Sequence, residues 1–257
     1  MIKEESRFES SCIFEGMTSI RAIIKRMDDA GYDRKIETIY FDSAKYDKIA
    51  KNIGYLKAVS SKYGFTVENS TAEYIDSLAI GNSHGGIIAA ATDRVFPAIA
   101  SDTSLSPSGF YAMIEGIEDP YNFGYSLRSL YACGCDGIIL PERNWMSAAG
   151  VVCRSSAGAS ELFDIYKSTS AEAAIYEFKR RGYSIVCADE NTNLILGKCE
   201  LKKPLLLIVG GEKRGISDKI LALADVKIKI DYAREFKASL SAASATTMFA
   251  YEIMRQN

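Results

Sequence analysis

Segments typical of strands alternate with segments typical of helices along most of this chain, and this alternation restricts the fold class more than any other feature. Hydrophobic periodicity predicts six elements before residue 95, namely helices at Ser19–Ala30, Ser43–Tyr63 and Thr71–Leu78 and strands at Ile36–Phe41, Phe65–Glu68 and Gly86–Thr92. Later elements include strands at Phe110–Ile117, Leu205–Val209 and Val226–Ile230 and helices at Tyr121–Cys133 and Ser239–Arg255. Since such alternation is typical of a mostly parallel sheet with helices on both faces, we predict an α/β protein.

The alternation is interrupted once, and the interruption predicts two domains. Residues 95–109 follow neither period and contain Pro97, Pro107 and several serines, as linkers do. We therefore predict an N-terminal domain at 1–94, a linker at 95–109 and a C-terminal domain at 110–257. A length of 257 residues is sufficient for two small domains.

The composition is that of an ordinary globular protein, with 47% hydrophobic and 25% charged residues. The longest apolar runs, such as Pro204–Val209, are far shorter than the roughly 20 residues that span a bilayer. The first ten residues are polar and charged and lack the apolar core of a secretory signal. We therefore expect a cytoplasmic protein with no membrane partner.

The net charge of −2 does not itself indicate nucleic-acid binding, because such domains are often basic. It conceals a basic stretch, since ten Lys and Arg residues oppose six Asp and Glu residues between Lys198 and Lys237, a local net charge of +4. Binding of RNA phosphates requires only one local basic surface. RNA therefore remains possible as a partner, with a solvated protein surface as the alternative explanation of the same charges.

Cysteine and histidine usage argues against a structural metal site. No two of the six cysteines form a C-x-x-C pair, and His84 is the only histidine. Structural zinc sites require closely spaced pairs of such ligands. We expect no metal cofactor, and burial as small hydrophobic side chains for most of the cysteines.

Three loops that follow predicted strands of the C-terminal domain carry candidate site residues. The first, Glu118–Arg128, leads into a helix whose free N–H groups can bind an anion, and Arg128 could hold a phosphate in a bidentate manner. The second begins with Gly210 and Gly211 directly after an apolar strand, where the backbone can approach a ligand closely.

The third loop runs from Ile230 to a helix of small residues that begins near Ser239. Ligands of open α/β sheets bind at the carboxyl ends of the strands, so loops in these positions can line a common site. None of the three loops matches a Walker A or a dinucleotide-binding pattern.

Together these loops resemble, in order and spacing, the three motifs of the SpoU/TrmH branch of the SPOUT RNA methyltransferases. The family motifs N-x-G-x-x-x-R, G-x-E-x-x-G and I-P followed by S-L-N are matched by Asn122, Gly124 and Arg128, by Gly210, Glu212 and Gly215, and by Ile230, Ser239 and Leu240. Ser155–Ala159 resembles the S-x-G-A segment of the family. Ser83–Ile87 resembles the H-Q-G segment of its ribosomal-protein-like N-terminal domain.

The resemblance implies transfer of a methyl group from S-adenosylmethionine to a ribose 2′-hydroxyl of RNA, with rRNA as the first expectation and tRNA as the second. It also implies a SPOUT parallel-sheet domain with a C-terminal trefoil knot, an N-terminal RNA substrate-binding domain, and a homodimer. It places Asn122, Arg128, Glu212 and Ser239 at the reacting site, Val209, Gly210, Gly211, Ile230 and Leu240 at the cofactor, and His84, Arg128, Lys213 and Arg214 at the RNA.

The chemistry suits these residue types. A sulfonium methyl group is already activated, so the enzyme mainly aligns donor and acceptor, while the attacking hydroxyl must lose a proton. Since a guanidinium group with a pKa above roughly 12 is a poor base, we expect Arg128 chiefly to grip the phosphate next to the target ribose. Whether Arg128 also accepts the proton stays open.

The sequence departs from the family pattern at several positions. Asp231 replaces the motif-three proline, Ser241 replaces the asparagine of S-L-N, Gly85 replaces the glutamine of H-Q-G, and Glu15–Ser19 replaces G-R-N-x-V. These departures favour an alternative, a non-catalytic RNA-binding scaffold of the same fold. A nucleotide-binding α/β enzyme of another family is a second alternative. rRNA maturation, tRNA modification and antibiotic resistance all remain possible as the physiological role.

Overall fold

A computed structural model gives the structure of residues 11–81, 84–141, 148–212, 214–235 and 238–257. These residues form two compact units. Unit 1 contains the residues up to Val95 together with residues 148–162, and unit 2 contains the rest, from Phe96 to residue 141 and from Phe163 to Asn257. No helix among the described residues is long and apolar enough to cross a membrane.

Unit 1 is built on a four-stranded sheet covered by helices. Its elements are β1 (Ser11–Glu15), α1 (Gly16–Arg26), β2 (Ile36–Asp42), a short 3₁₀ helix (Ser43–Lys45), α2 (Tyr46–Tyr63), β3 (Thr66–Ser70), α3 (Ala72–Leu78), β4 (Ile87–Thr92), α5 (Ala149–Ser155) and α6 (Ala159–Leu162). The strand order is β1-β4-β2-β3, with β4 antiparallel to both of its neighbours and β2 parallel to β3.

This sheet differs from the expected parallel one because β4 inserts between β1 and β2. The strand β1, which the sequence analysis did not predict, pairs with the whole of β4, from Ser11 opposite Thr92 to Glu15 opposite Ile88. The helix α2 continues through Gly54 without a break. Leu56 and Ile53 of α2 are buried against the sheet, and this packing outweighs the low helix propensity of one exposed glycine.

Residues 148–162 lie between two strands of unit 2 in sequence but pack into unit 1. Cys153 belongs to the core of unit 1, and at Gly150 a Cβ atom would lie 2.0 Å from the carbonyl oxygen of Ile13. Arg34 Nε lies 3.1 Å from Glu161 Oε2, with both side chains buried, and the Tyr32 hydroxyl donates to the same carboxylate at 2.6 Å. Paired and hydrogen-bonded in this way, the buried charges are compensated.

Unit 2 is a six-stranded, fully parallel sheet, as the sequence predicts for the C-terminal domain. Its elements are β5 (Phe110–Glu115), α4 (Pro120–Ala132), β6 (Gly137–Pro141), β7 (Asp164–Ser168), α7 (Ala171–Arg180), β8 (Ser184–Ala188), β9 (Leu205–Gly210), α8 (Asp218–Leu221), β10 (Val226–Ile228) and α9 (Ala242–Gln256). The strand order is β10-β8-β9-β5-β6-β7. The helices α7 and α8 share one buried cluster with the sheet, whereas α4 and α9 pack against each other outside it.

Residues 96–109, expected to form a linker, are bound to unit 2. Ile99 N–H donates to the carbonyl oxygen of Lys167 in β7 at 2.7 Å, and Lys167 N–H donates back to Pro97 at 2.8 Å. Arg181 Nη1 donates to the carbonyl oxygen of Thr103 at 2.6 Å. These bonds satisfy backbone groups that a free linker would leave to water.

Three of the cysteines are buried, as the sequence analysis expected. Cys135, Cys153 and Cys187 are at most 7% exposed. Burial raises the pKa of Cys153 and of Cys187 to about 12, so both remain thiols and pack as small hydrophobic groups. Among the described residues, no group of three or more His, Cys, Asp or Glu side chains could hold a metal ion.

Candidate active site

The candidate site begins where β5 and β9, two adjacent parallel strands, end side by side. Their pairing runs to Glu115 opposite Gly210, and just beyond it the Gly211 N–H donates to the Glu115 carbonyl oxygen at 2.6 Å. A Cβ atom on Gly210 would lie 2.4 Å from the carbonyl carbon of Gly215, and one on Gly211 would lie 2.4 Å from the carbonyl oxygen of Gly116. This close backbone approach therefore requires glycine at both positions.

The helix α4 starts at a fixed point beside these strands. The Asp119 carboxylate accepts hydrogen bonds from the backbone N–H groups of Tyr121 and Asn122, at 3.1 and 3.2 Å, and Pro120 occupies the first helical turn. An aspartate cap followed by proline is a strong helix start, since proline has no N–H group to leave unsatisfied there. Asn122 is thereby held in the first turn of α4.

One side-chain hydrogen bond joins the first two loops. Asn122 Nδ2 donates to Glu212 Oε1 at 2.8 Å, although the two residues are 90 positions apart in the sequence. The bond leaves the carbonyl oxygen of the Asn122 amide available to accept another hydrogen bond. The structure thus brings together the predicted site residues of motifs one and two.

Two of the basic residues that the sequence analysis placed at the RNA are exposed. Arg128 is on α4, about 9 Å along the helix axis from Asn122, and it forms no hydrogen bond or ion pair with any described residue. Arg214 is likewise exposed, and Lys213 lies outside the described residues. Both guanidinium groups are therefore accessible to an anion from solvent.

The third loop follows β10 and leads into α9. Ile230 and Leu240 are half-buried, whereas Ser239 is exposed and has no hydrogen bond to Asn122, Arg128 or Glu212 in the described structure. The Leu240 N–H donates to the Tyr232 hydroxyl oxygen at 3.2 Å. The loop therefore closes on itself immediately before α9 begins.

The start of α9 explains one departure from the family pattern. The Ser241 hydroxyl is the cap of α9 and accepts a hydrogen bond from the Ser244 N–H at 3.2 Å. Serine and asparagine are about equally good at this position of a helix, so Ser241 can replace asparagine in this structural role. Further along, the hydroxyl groups of Thr247 and Ser129 lie 2.6 Å apart and connect α9 to α4.

Two supporting residues were missed in the sequence. Glu115, the last residue of β5, accepts hydrogen bonds from the hydroxyl group of Ser217 at 2.9 Å and from its backbone N–H at 3.2 Å. This contact closes the second loop at its far end. A carboxylate inside an otherwise apolar predicted strand was the available signal for Glu115, whereas Ser217, 102 residues away, had none.

His84 lies in unit 1 and is buried. Its Nδ1 atom accepts a hydrogen bond from the Gly86 N–H at 3.1 Å, and its Nε2 atom lies 3.0 Å from Asp76 Oδ1. The ring lines a cavity of about 370 Å³ together with Asn52 and Arg154. Both ring nitrogens already have protein partners, so any contact of His84 with a ligand would be made through this cavity.

Comparison with known proteins decides the family. The model described as the SpoU rRNA Methylase family matches residues 109–251, more than half of the chain. The chain belongs to the SpoU rRNA methylase family. This result confirms the resemblance drawn from the three motifs, and with it the predicted class of enzyme, an RNA methyltransferase.

Individual relatives and solved structures match this chain over nearly its whole length. The 23S rRNA (guanosine-2′-O-)-methyltransferase RlmB of Shewanella oneidensis is 24% identical over 247 residues, which cover 95% of this chain and 97% of that protein. The AdoMet-bound rRNA methyltransferase of Sinorhizobium meliloti has a TM-score of 0.75 at 21% identity, covering 96% of this chain and 87% of its own. The AdoMet complex of AviRb from Streptomyces viridochromogenes has a TM-score of 0.75 at 18% identity, with coverages of 96% and 90%. These structures confirm the α/β fold.

The predicted cofactor residues of this SpoU chain suit S-adenosylmethionine. Gly210 and Gly211 carry no side chains and pack against the backbone of Gly215 and Gly116, Val209 is buried, and Ile230 and Leu240 have half-buried aliphatic side chains. A nucleoside needs this combination of apolar walls and a few fixed polar groups.

The capping role of Ser241 gives a direct prediction. Ser241→Asn keeps a side-chain oxygen at the cap, so its free energy of unfolding should stay within about 0.5 kcal/mol of the wild-type value. Ser241→Ala removes the cap and should lower the free energy of unfolding by about 1 kcal/mol. Urea denaturation monitored by circular dichroism measures both values. Equal loss in the two variants would show that the cap is not what this position supplies.

Proposed function

We propose that this chain transfers the methyl group of S-adenosylmethionine to a ribose 2′-hydroxyl of rRNA, with tRNA as the second candidate substrate. The hydrogen bond between Asn122 and Glu212 carries the proposal, because it joins the motif-one and motif-two residues of the family at the carboxyl ends of β5 and β9. The names of RlmB and of the S. meliloti rRNA methyltransferase support rRNA as the substrate. The reaction would take place in the cytoplasm.

The cofactor would be held by Val209, Gly210, Gly211, Ile230 and Leu240, mostly through backbone groups. When bound, it supplies a sulfonium methyl group that is already activated for transfer. We also propose that the C-terminal stretch forms the trefoil knot of the family. The return of α9 from β10, at the edge of the sheet, to α4 and β9, near its centre, supports this topology.

Within the reacting site, Arg128 would grip the phosphate next to the target ribose. Its guanidinium group is exposed on α4 and can bind two phosphate oxygens at once. Glu212 would orient the Asn122 amide so that its carbonyl oxygen accepts a hydrogen bond from the ribose hydroxyl. Ser239 would line the opposite side, and Lys213 and Arg214 would contact neighbouring phosphates.

Calorimetric titration with S-adenosylmethionine, followed by transfer of a tritiated methyl group to 23S rRNA or tRNA, tests the proposal. We expect saturable binding to the wild type and none to Gly210→Trp, whose side chain cannot fit beside Gly215. Arg128→Lys should keep the cofactor affinity but lose at least about tenfold in methyl transfer, because lysine cannot make the bidentate contact.

The product identifies the position of the methyl group, since a 2′-O-methyl ribose resists alkaline cleavage of the adjacent bond. Nearly full turnover by Arg128→Lys would contradict the phosphate grip. Absence of cofactor binding, also with RNA present, would instead favour the non-catalytic RNA-binding scaffold.

We further propose that residues 1–94 form the RNA substrate-binding domain, that residues 95–109 connect the domains, and that residues 110–257, except for 148–162, which pack into unit 1, form the methyltransferase domain. In unit 1, Lys48 and Lys51 are exposed on α2, and Arg21 of α1 is exposed beside them. The Arg21 guanidinium carbon lies 5.1 Å from the centre of the Tyr55 ring. Basic and aromatic side chains arranged in this way can bind RNA phosphates and stack with unpaired bases. His84 would contact RNA through its cavity.

Charge reversal on this surface should weaken RNA binding without affecting the cofactor. Lys48→Glu combined with Lys51→Glu should raise the Kd for rRNA roughly tenfold near 0.1 M salt and flatten its salt dependence. Filter binding over a salt series measures this change. Lys57→Glu, at an exposed residue six positions after Lys51 on α2, is the control, and an equal loss there would argue against a specific surface.

We also propose a homodimer that forms through α4 and α9. Six large side chains on these two packed helices are 39–56% exposed, namely Tyr121, Tyr125, Tyr131, Met248, Tyr251 and Met254. Exposed apolar side chains grouped in this way mark an interaction surface more often than an ordinary one.

Sedimentation velocity should therefore give twice the mass of one chain. Met248→Asp combined with Tyr251→Asp should shift the protein to the monomer, because each charge would have to be buried in the interface. Tyr176→Asp, at a residue 60% exposed on α7, is the control. A double variant that stays dimeric would place the interface elsewhere.

A further inference from the structure

We infer that Tyr232 is the residue that positions the cofactor-binding loop of motif three, by holding the backbone of Leu240 at a fixed distance from the end of β10. The inference rests on the proposed function, because Ile230 and Leu240 are its proposed cofactor contacts. It assigns a role to a residue outside the motif pattern of the family.

The geometry of the loop supports this role. The Tyr232 hydroxyl oxygen accepts a hydrogen bond from the Leu240 N–H at 3.2 Å, across eight positions of sequence. Tyr232 follows Ile230 by two residues, and Leu240 immediately precedes the cap of α9. The bond thus connects the two ends of the loop at which the proposed cofactor contacts lie.

The described residues between Ile230 and Leu240 are all exposed to solvent. Asp231, Tyr232, Glu235 and the residues between them are exposed, as are Ala238 and Ser239. A loop with few buried apolar contacts opens at low free energy unless specific bonds hold it. A hydrogen bond between its two ends restricts the path of the backbone more than a bond within one end would.

The family pattern indicates why such a bond is needed here. Proline fixes its own φ angle near −65° and restricts the preceding residue. With Asp231 in place of the motif proline, the loop loses this restraint directly after Ile230. Asp231 makes only a distant ion pair, at 4.0 Å with Lys198, and both side chains are more than half exposed. The Tyr232 bond therefore replaces a backbone restraint with a side-chain one.

Tyrosine suits this task because of its shape. The ring is rigid and places its hydroxyl group far from the backbone, so little conformational entropy is lost when the bond forms. Phenylalanine has the same shape without the acceptor oxygen, which makes Tyr232→Phe a minimal test. Tyr176→Phe, at an exposed residue of α7, is the matched control.

The first measurement needs no cofactor. Hydrogen exchange of the Leu240 amide in the free protein should be about three- to tenfold faster in Tyr232→Phe than in the wild type, as expected for the loss of one neutral hydrogen bond. The control should leave this rate unchanged. Equal exchange in Tyr232→Phe and the wild type would overturn the inference.

The second measurement is calorimetric titration with S-adenosylmethionine. The Kd and the KM for the cofactor should each rise about three- to tenfold in Tyr232→Phe, while kcat at saturating cofactor changes less than twofold. Unchanged or tighter binding would overturn the inference, and tighter binding would identify Tyr232 as a residue that blocks the site. If the wild type binds no cofactor, the proposed function and this inference both fail, even if the exchange result stands.

Restoring the proline separates positioning from direct contact. In the double variant Asp231→Pro with Tyr232→Phe, the backbone restraint returns although the hydroxyl group is missing. We expect this variant to recover most of the cofactor affinity. If the proline gives no recovery, Tyr232 acts on the cofactor itself and does not position the loop.

Discussion

The candidate site depends on the backbone contact made by two consecutive glycines. Gly210 ends β9 and Gly211 follows it. They pack so closely against the backbone of Gly215 and Gly116 that neither can carry a Cβ atom. The hydrogen bond from Gly211 to Glu115 extends the pairing of β5 and β9 beyond the ends of both strands. Because the second loop is fixed against the end of β5, Glu212 reaches the first turn of α4 and Asn122.

Helix starts determine where the other site residues lie. The Asp119 cap and Pro120 fix the start of α4, the Ser241 cap fixes the start of α9, and the contact between Thr247 and Ser129 holds the two helices together. The two caps satisfy backbone N–H groups that a helix end leaves free, and the hydroxyl contact joins the helices through their side chains. The motif residues acquire their positions from these supporting residues, several of which are not part of any motif.

The sequence predicts most of the elements of this fold, because their periodicity and turn residues are local signals. The helix α4 and the strand β9 lie within one residue of their predicted bounds. The strand β1 was missed because five residues next to a charged N-terminal segment carry too little period to be recognised. The packing of residues 148–162 into unit 1 could not be predicted, since it depends on Glu161 meeting Arg34 across 127 positions. Of the candidate site, the resemblance placed Asn122 and Glu212 at one reacting site but did not predict their hydrogen bond. Glu115 had only a weak local signal, and no pattern identified Tyr232.

We therefore interpret the departures in motif three as a change in which side chains restrain the backbone, not as a loss of function. A motif records which side chains most relatives use, whereas the fold requires only that certain backbone segments be held. Ser241 holds the start of α9 as asparagine would, and the Tyr232 hydroxyl holds Leu240 where proline would have stiffened the other end of the loop. In both cases the side chain that makes the restraint is uncharged, whereas Asp231 itself adds a carboxylate that lies 4.0 Å from Lys198.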